Sequence, residues 1–361
     1  MMLYHIDRVN KYVSIFDEKT GKYLRSGTII KGRESDEDPF MAQFPELIDV
    51  GIMGHCFHGK SGKCLLAKIE CYQNGANQAT PNMTLEDFES IVKQCRGRTF
   101  QFALGGRGDP DQHAHFEEII KLCHDNKIVP NFTTSGYGMN QKIALLCKKY
   151  CGSVAISWYR NDYTLEAIKM LLEANVKTNI HYVLSNNTID EAIAHLKNND
   201  FPKGINAMLF LLHKPIGLGS LDNVLTIDDE RVKEFFSLVD RLKFDFKIGF
   251  DSCSTPGILN LTKSVSLESI DTCEGARWSA YISADMKMMP CSFDNQSQNW
   301  AVDLNHNTIE DAWNSMAFDD FRNHLRYACK GCKKRAYCMG GCPIVSDIVL
   351  CNSENKDKQI N

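Results

Sequence analysis

From residue 48 onward, short apolar runs alternate with amphipathic segments of about ten to thirteen residues. The apolar runs are IDVGIM, TFQFAL, VPNFTTS, SVAISWY, KTNIHYVL and NAMLFLLH. Between them, segments such as AHFEEIIKLCHDN place Phe116, Ile119, Ile120 and Cys123 on one helical face. Apolar strands that alternate with amphipathic helices are typical of a parallel sheet. We therefore predict an α/β fold with a partial or full (β/α) TIM-type barrel, whose active site lies at the C-terminal ends of its strands.

This pattern changes near both ends of the chain. Residues 1–45 have the alternation of a β-hairpin extension, with Gly21 in the turn. The barrel is predicted over 46–250, followed by a small cysteine-rich domain over 251–351. The polar stretch 352–361 is predicted to be a flexible tail.

Composition and charge limit the class of protein. The hydrophobic share of 43% and the charged share of 24% are typical of a globular protein. No apolar run reaches the length of a membrane span, and the N-terminus lacks the apolar core of a signal peptide. The net charge of −4 is spread without a long basic block, which disfavours nucleic acid as a partner. We expect a cytoplasmic protein with no membrane or nucleic-acid partner.

The chain has 15 cysteines, which in a reducing compartment indicate metal binding or catalysis rather than disulfides. Cys95, Cys123, Cys147 and Cys151 belong to predicted helices and are expected to be buried apolar residues. The other eleven fall into two regions, 56–71 and 253–351.

The run ACKGCKKRAYCMGGCPI contains Cys329, Cys332, Cys338 and Cys342, separated by two, five and three residues. Such short spacings place thiolates on neighbouring turns, where one tetrahedral ion or one cubane cluster can bridge them. A zinc ribbon usually has two pairs of closely spaced cysteines about 15–20 residues apart, and this run does not. The spacing predicts a metal site and leaves zinc or iron–sulfur open.

With Cys351 after it and Cys273 and Cys291 before it, the run resembles the SPASM module of radical SAM enzymes. The resemblance implies two auxiliary 4Fe–4S clusters. One would be bound by Cys329, Cys332, Cys338 and Cys351, and the other by Cys273, Cys291, Cys342 and, as its fourth ligand, Cys253. Met286 replaces the glycine that the family has five residues before the position of Cys291.

The resemblance extends over the barrel and covers residues 48–351. It implies that Cys56, Cys64 and Cys71, directly after the first barrel strand, hold a catalytic 4Fe–4S cluster whose fourth iron binds S-adenosylmethionine. The family spacing is three and then two residues, whereas here it is seven and then six. One alternative is a structural zinc with His55 or His58 as fourth ligand. Another is that the loop binds nothing.

The same resemblance implies the cofactor-binding residues. The motif FALGGRGDPDQH corresponds to the family's glycine-rich segment, with Asp109 where the family usually has glutamate. Arg160 and Lys214 are further candidates at the mouth of the barrel. The implied contacts to S-adenosylmethionine are Gly105, Gly106, Asp109, Ser135, Ser157 and His181.

The implied function is a SPASM-class radical SAM enzyme with S-adenosylmethionine and three 4Fe–4S clusters. Reductive cleavage of S-adenosylmethionine would yield a 5′-deoxyadenosyl radical, which takes hydrogen from a precursor peptide or protein. The outcome would be an oxidative modification such as a thioether or carbon–carbon crosslink. A reductase, flavodoxin or ferredoxin would donate electrons. Three alternatives remain: a radical SAM enzyme on a small metabolite, a non-catalytic iron–sulfur protein for electron transfer or structure, and a zinc-stabilised binding module.

Overall fold

The computed structural model describes residues 2–35 and 37–351, so the predicted flexible tail 352–361 lies outside the described residues. The N-terminal part forms a three-stranded antiparallel sheet and a small two-stranded sheet. Their strands are β1 (Met2–Asp7), β2 (Tyr12–Asp17), β3 (Lys22–Arg25), β4 (Ile29–Ile30) and β5 (Arg33–Glu34). Strands β2 and β3 are the predicted hairpin. Strand β1 adds a third strand that pairs with β2, with Met2 opposite Asp17 at one end and Asp7 opposite Tyr12 at the other.

Parallel strands form the centre of the molecule, as the apolar runs predict. They are β6 (Leu47–Met53), β7 (Gln101–Gly106), β8 (Val129–Thr134), β9 (Ser153–Ser157), β10 (Thr178–Leu184), β11 (Ala207–Leu212) and β12 (Lys247–Phe250). They lie side by side in chain order. Residues in β10 alternate between buried and half-buried, so one face packs on the helices and the other faces the barrel interior. The predicted α/β barrel is confirmed.

Helices cover the outer face of this sheet. They are α3 (Leu85–Cys95), α4 (Phe116–Asp125), α5 (Gln141–Tyr150), α6 (Asp162–Glu173), α7 (Ile189–Asn198), α8 (Glu230–Arg241) and α9 (Thr255–Leu261). Two further short helices, α1 (Phe57–Lys60) and α2 (Lys63–Leu66), belong to the loop that follows β6. Cys95, Cys123 and Cys147 are fully buried in the core, as predicted, whereas Cys151, which follows the last residue of α5, is only half-buried. No helix within 2–35 and 37–351 is long and apolar enough to cross a membrane.

The cysteine-rich region continues the central sheet. Its regular elements are β13 (Ser279–Ile282), β14 (Lys287–Met289), β15 (Val302–Asp303), α10 (Ile309–Trp313) and α11 (Met316–Tyr327). Strand β13 pairs in parallel with β6, so within the described residues β6 does not close onto β12 and the barrel is partial. Buried Trp313 donates a hydrogen bond from its indole nitrogen to the Ala42 carbonyl at 3.0 Å, which ties this region to the N-terminal part.

Candidate active site

Three thiols meet in the loop that follows β6. The Cys56 Sγ accepts a hydrogen bond from the Gly59 backbone at 3.0 Å and so caps α1. Gly75 lies against two of them, since a Cβ there would stand 3.7 Å from Cys56 Sγ and 3.8 Å from Cys71 Sγ. Burial, with smaller contributions from nearby Cys71 and Cys56, raises the pKa of Cys64 to about 12. We call these three cysteines the thiol triad.

Two short helices take up the long spacings within the triad. Helix α1 lies between Cys56 and Cys64, helix α2 contains Cys64, and the two are joined through Gly62, whose φ of +74° suits glycine. The Arg160 guanidinium donates a hydrogen bond to the Ala67 carbonyl at 2.7 Å and is paired with Glu191 on α7 at 2.5 Å. The loop is therefore fastened to the barrel from outside the triad.

His58 is the histidine that contacts the triad. Its Nδ1 lies 3.0 Å from Cys64 Sγ, and its Nε2 contacts the Tyr163 hydroxyl. Burial, with a contribution from Lys63, lowers the pKa of His58 to about 4, so the ring is neutral at pH 7. His55 instead packs edge-on against Phe57. Of the two histidines proposed as fourth ligand in the zinc alternative, His58 is the one that lies beside a triad thiol.

The glycine-rich motif follows β7 beside the triad. Gly106 has a φ of +107°, and a Cβ there would lie 2.3 Å from the Met53 carbonyl oxygen, so the close approach of the two chain segments requires glycine. At Gly105 a Cβ would meet no atom within 4 Å, which leaves open space over this residue. Buried Asp109 accepts hydrogen bonds from the Ser135 backbone at 2.7 Å and hydroxyl at 2.6 Å. Two of the predicted cofactor residues thus contact each other directly.

The other two predicted cofactor residues are neighbours on the next strands. His181 on β10 is the register partner of Ser157 on β9. The His181 Nδ1 lies 3.3 Å from the Thr133 hydroxyl on β8, and burial lowers the pKa of His181 to about 4. The structure therefore places a neutral imidazole inside the barrel, next to Ser157.

A second group of thiols lines a cavity of about 300 Å³ between the barrel and the cysteine-rich region. Its cysteines are Cys253, Cys273, Cys291 and Cys342, which we call the cavity set. A hydrogen bond with Cys342, together with burial, raises the pKa of Cys253. Lys214 projects into the same cavity, where it is paired with Asp251 and lies 4.8 Å from the centre of the Phe293 ring.

Carboxylates in this cavity were not among the residues singled out from the sequence. Asp49, Glu70 and Glu274 all line it. Burial raises the pKa of Asp49 to about 7. Glu70 accepts a hydrogen bond from the Ser220 backbone at 2.7 Å. Asp49 is the charged residue of the apolar run LIDVGIM. A charged side chain inside an apolar strand is the sequence feature by which Asp49 could have been identified as a site residue.

The remaining cysteines form a third group near the C-terminus. They are Cys329, Cys332, Cys338 and Cys351, which we call the C-terminal set. Burial raises the pKa of Cys329, and the charges of Cys332 and Cys351 add to this. The pKa of Cys338 rises through burial and through the nearby Cys329, Cys351 and Cys332. Gly340 has a φ of +90°, and a Cβ there would lie 3.4 Å from Cys329 Sγ.

The three groups fit iron–sulfur clusters by the chemistry of their donors, because such clusters are held by cysteine thiolates in sets of this size. Groups of three or more His, Cys, Asp or Glu side chains placed to hold a metal ion are not found within 2–35 and 37–351. Neighbouring thiols within each group are those that the resemblance implies, which establishes their proximity and not a ligand geometry. Their role as ligands stays a prediction.

Comparison with known proteins relates this arrangement to a family. Residues 273–333 match the SPASM iron–sulfur cluster-binding domain. The structure of Streptococcus suis SuiB bound to S-adenosylmethionine has a TM-score of 0.71 at 12% identity, over 98% of both chains. The structure of anSMEcpe with bound AdoMet has a TM-score of 0.58 at 17% identity, over 87% of this chain and 91% of that one. The resemblance to SPASM-type radical SAM enzymes is confirmed. No curated protein matches the chain in sequence.

The SPASM match covers part of the two C-terminal thiol groups. It includes Cys273, Cys291, Cys329 and Cys332, whereas Cys338, Cys342 and Cys351 follow it and Cys253 precedes it. At 12–17% identity, the likeness to the solved structures establishes the radical SAM fold over nearly the whole chain. The thiol triad, with its unusual spacing, lies outside the family match.

Proposed function

We propose that this protein is a radical SAM enzyme of the SPASM class that modifies a peptide or protein oxidatively. The observation that carries the proposal is the convergence of Cys56, Cys64 and Cys71 directly after the first barrel strand. Three thiolates leave one iron of a cubane cluster without a protein ligand, which an open catalytic site requires.

When bound, a reduced 4Fe–4S cluster and S-adenosylmethionine would supply a 5′-deoxyadenosyl radical, and the auxiliary clusters would take up the electron that the substrate loses. The thiol triad, the cavity set and the C-terminal set would hold these clusters. The open space over Gly105 would accept the cofactor beside Asp109 and Ser135, and Gly106 would allow the close turn of the chain next to it. Ser157 and His181 would contact it from the barrel interior.

The substrate class is inferred from solved structures of the same fold, because the cavity lined by the cavity set is the site proposed for a cluster. Solved structures of the same fold contain a precursor peptide in SuiB and a Cp18Cys peptide in anSMEcpe. Their TM-scores to this chain are 0.67 and 0.58. We therefore infer a peptide or protein as the substrate class.

The test is metal analysis after anaerobic reconstitution, combined with detection of 5′-deoxyadenosine. Wild type should bind about twelve irons and the triple Cys56/Cys64/Cys71→Ala variant about eight, with no 5′-deoxyadenosine from the variant after reduction by dithionite. Equal iron content in both proteins would refute the catalytic role of the triad. Zinc in the triad would instead support the structural site with His58, whose Nδ1 is 3.0 Å from Cys64 Sγ.

A further inference from the structure

The outer surface of the loop that carries the thiol triad is both basic and apolar. Phe57 is 58% exposed, Leu65 is 61% exposed and Leu66 is 86% exposed. Lys60 and Lys68 are exposed beside them. We call these five residues the loop surface. No acidic residue occurs in the chain between Cys56 and Ile69, and the acidic residue that follows, Glu70, accepts a hydrogen bond from the Ser220 backbone and lines the cavity.

The positive charge of the loop surface is not neutralised within the described residues. Neither Lys60 nor Lys68 forms an ion pair there, although many other exposed lysines do, such as Lys197 with Glu234 at 2.6 Å. The chain as a whole has a net charge of −4, so the positive charge of the loop surface is opposite in sign to that of the whole protein. An acidic partner would be attracted here and repelled by much of the remaining surface.

Exposed apolar side chains next to one another mark interaction surfaces more often than isolated ones do. Leu65 and Leu66 are exposed and directly follow Cys64, which is buried. A protein that covers these side chains would therefore be separated from the thiol triad by little more than the thickness of the loop. This position suits electron delivery, because the distance between two redox centres limits their exchange of electrons.

We propose that the loop surface is the docking site of an acidic one-electron carrier protein that reduces the cluster bound by the thiol triad. The inference rests on the proposed function. One electron passes from the reduced carrier to the cluster, so that the carrier is oxidised and the cluster reduced by one electron, and no atom is transferred. The lysines attract the carrier, and the apolar side chains are covered in the complex.

The test uses the reconstituted holoenzyme and a plant-type [2Fe–2S] ferredoxin as the acidic carrier. The Lys60→Glu/Lys68→Glu variant reverses two charges of the loop surface and leaves the cysteines in place. Lys93→Glu/Lys169→Glu is the matched control, since these lysines are 78% and 76% exposed on outer helices α3 and α6. Two readouts are taken: the dissociation constant of ferredoxin by calorimetry, and the rate of cluster reduction by reduced ferredoxin or by dithionite.

At about 50 mM salt, the loop variant should bind ferredoxin about tenfold more weakly and be reduced by it about tenfold more slowly. Reduction by dithionite should not change, and at about 500 mM salt wild type should fall to the rate of the variant. Unchanged ferredoxin binding in the loop variant, or an equal loss of ferredoxin affinity in the control variant, would refute the docking site. The loop surface would then be assigned to binding of the peptide substrate. If dithionite yields no 5′-deoxyadenosine from wild type, the proposed function fails, while the calorimetry still decides the docking.

Discussion

Arg160 provides a direct way to test whether the triad loop depends on the barrel. Its side chain is 22% exposed and donates to the Ala67 carbonyl at 2.7 Å. A hydrogen bond from a charged donor contributes about 1.5–3 kcal/mol, and the partial exposure of Arg160 favours the lower end. A loss of about 1.4 kcal/mol corresponds to a tenfold change in an equilibrium constant. Arg160→Met should therefore make open states of the loop about tenfold more populated.

The assay is the anaerobic release of iron from reconstituted protein to a chelator. In Arg160→Met, about four of the irons should be lost about tenfold faster than in wild type, and the others at an unchanged rate. Glu191→Gln is the matched control, because it removes the charged partner of Arg160 but leaves the contact with Ala67. A half-exposed ion pair contributes at most about 1 kcal/mol, so the control should accelerate iron loss by about fivefold at most.

The reasoning would be refuted if both variants lost iron at the same rate. It would also be refuted if Arg160→Met released the irons of the cavity set and the C-terminal set as fast as those of the triad. The first result would mean that the ion pair of Arg160 with Glu191, rather than its hydrogen bond to the Ala67 carbonyl, stabilises the loop. The second would mean that Arg160 stabilises the whole fold and not the loop in particular.

Two further predictions concern single positions. Gly75→Ala places a Cβ 3.0 Å from the Cβ of Cys56, which must shift, so iron bound by the triad should fall while the other iron content is retained, as measured by metal analysis. Hydrogen bonds to Glu191 and Asp200 raise the pKa of His195, so its contribution to stability is complete below its unfolded pKa of about 6.5 and is lost as pH rises through the higher folded value. Denaturant unfolding should therefore show His195→Gln destabilised by about 1 kcal/mol at pH 6 and much less at pH 9, and a difference that grows with pH would contradict this sign.

Local pattern was sufficient for most of the barrel. The run SVAISWY predicted β9, observed at Ser153–Ser157, and KTNIHYVL predicted β10, observed at Thr178–Leu184. These elements follow from the sequence because the periodicity of apolar side chains is set by the backbone geometry of strands and helices. The grouping of Cys342 with Cys253, by contrast, does not follow from any local pattern in the sequence. Cys342 is nearest in sequence to the C-terminal set, and its placement followed from the family resemblance, not from spacing.

The sequence by itself determined the alternation of strands and helices, the position of the triad after the first barrel strand, and the density of thiols near the C-terminus. Only the tertiary structure decided that β13 pairs with β6 and leaves the barrel partial. It also decided that Asp49 faces the cavity and that Arg160 holds the carbonyl of Ala67. These contacts join residues far apart in the chain, and no local periodicity encodes them. They arise when burial of the sheet brings distant segments together and the polar groups at their edges take the partners within reach.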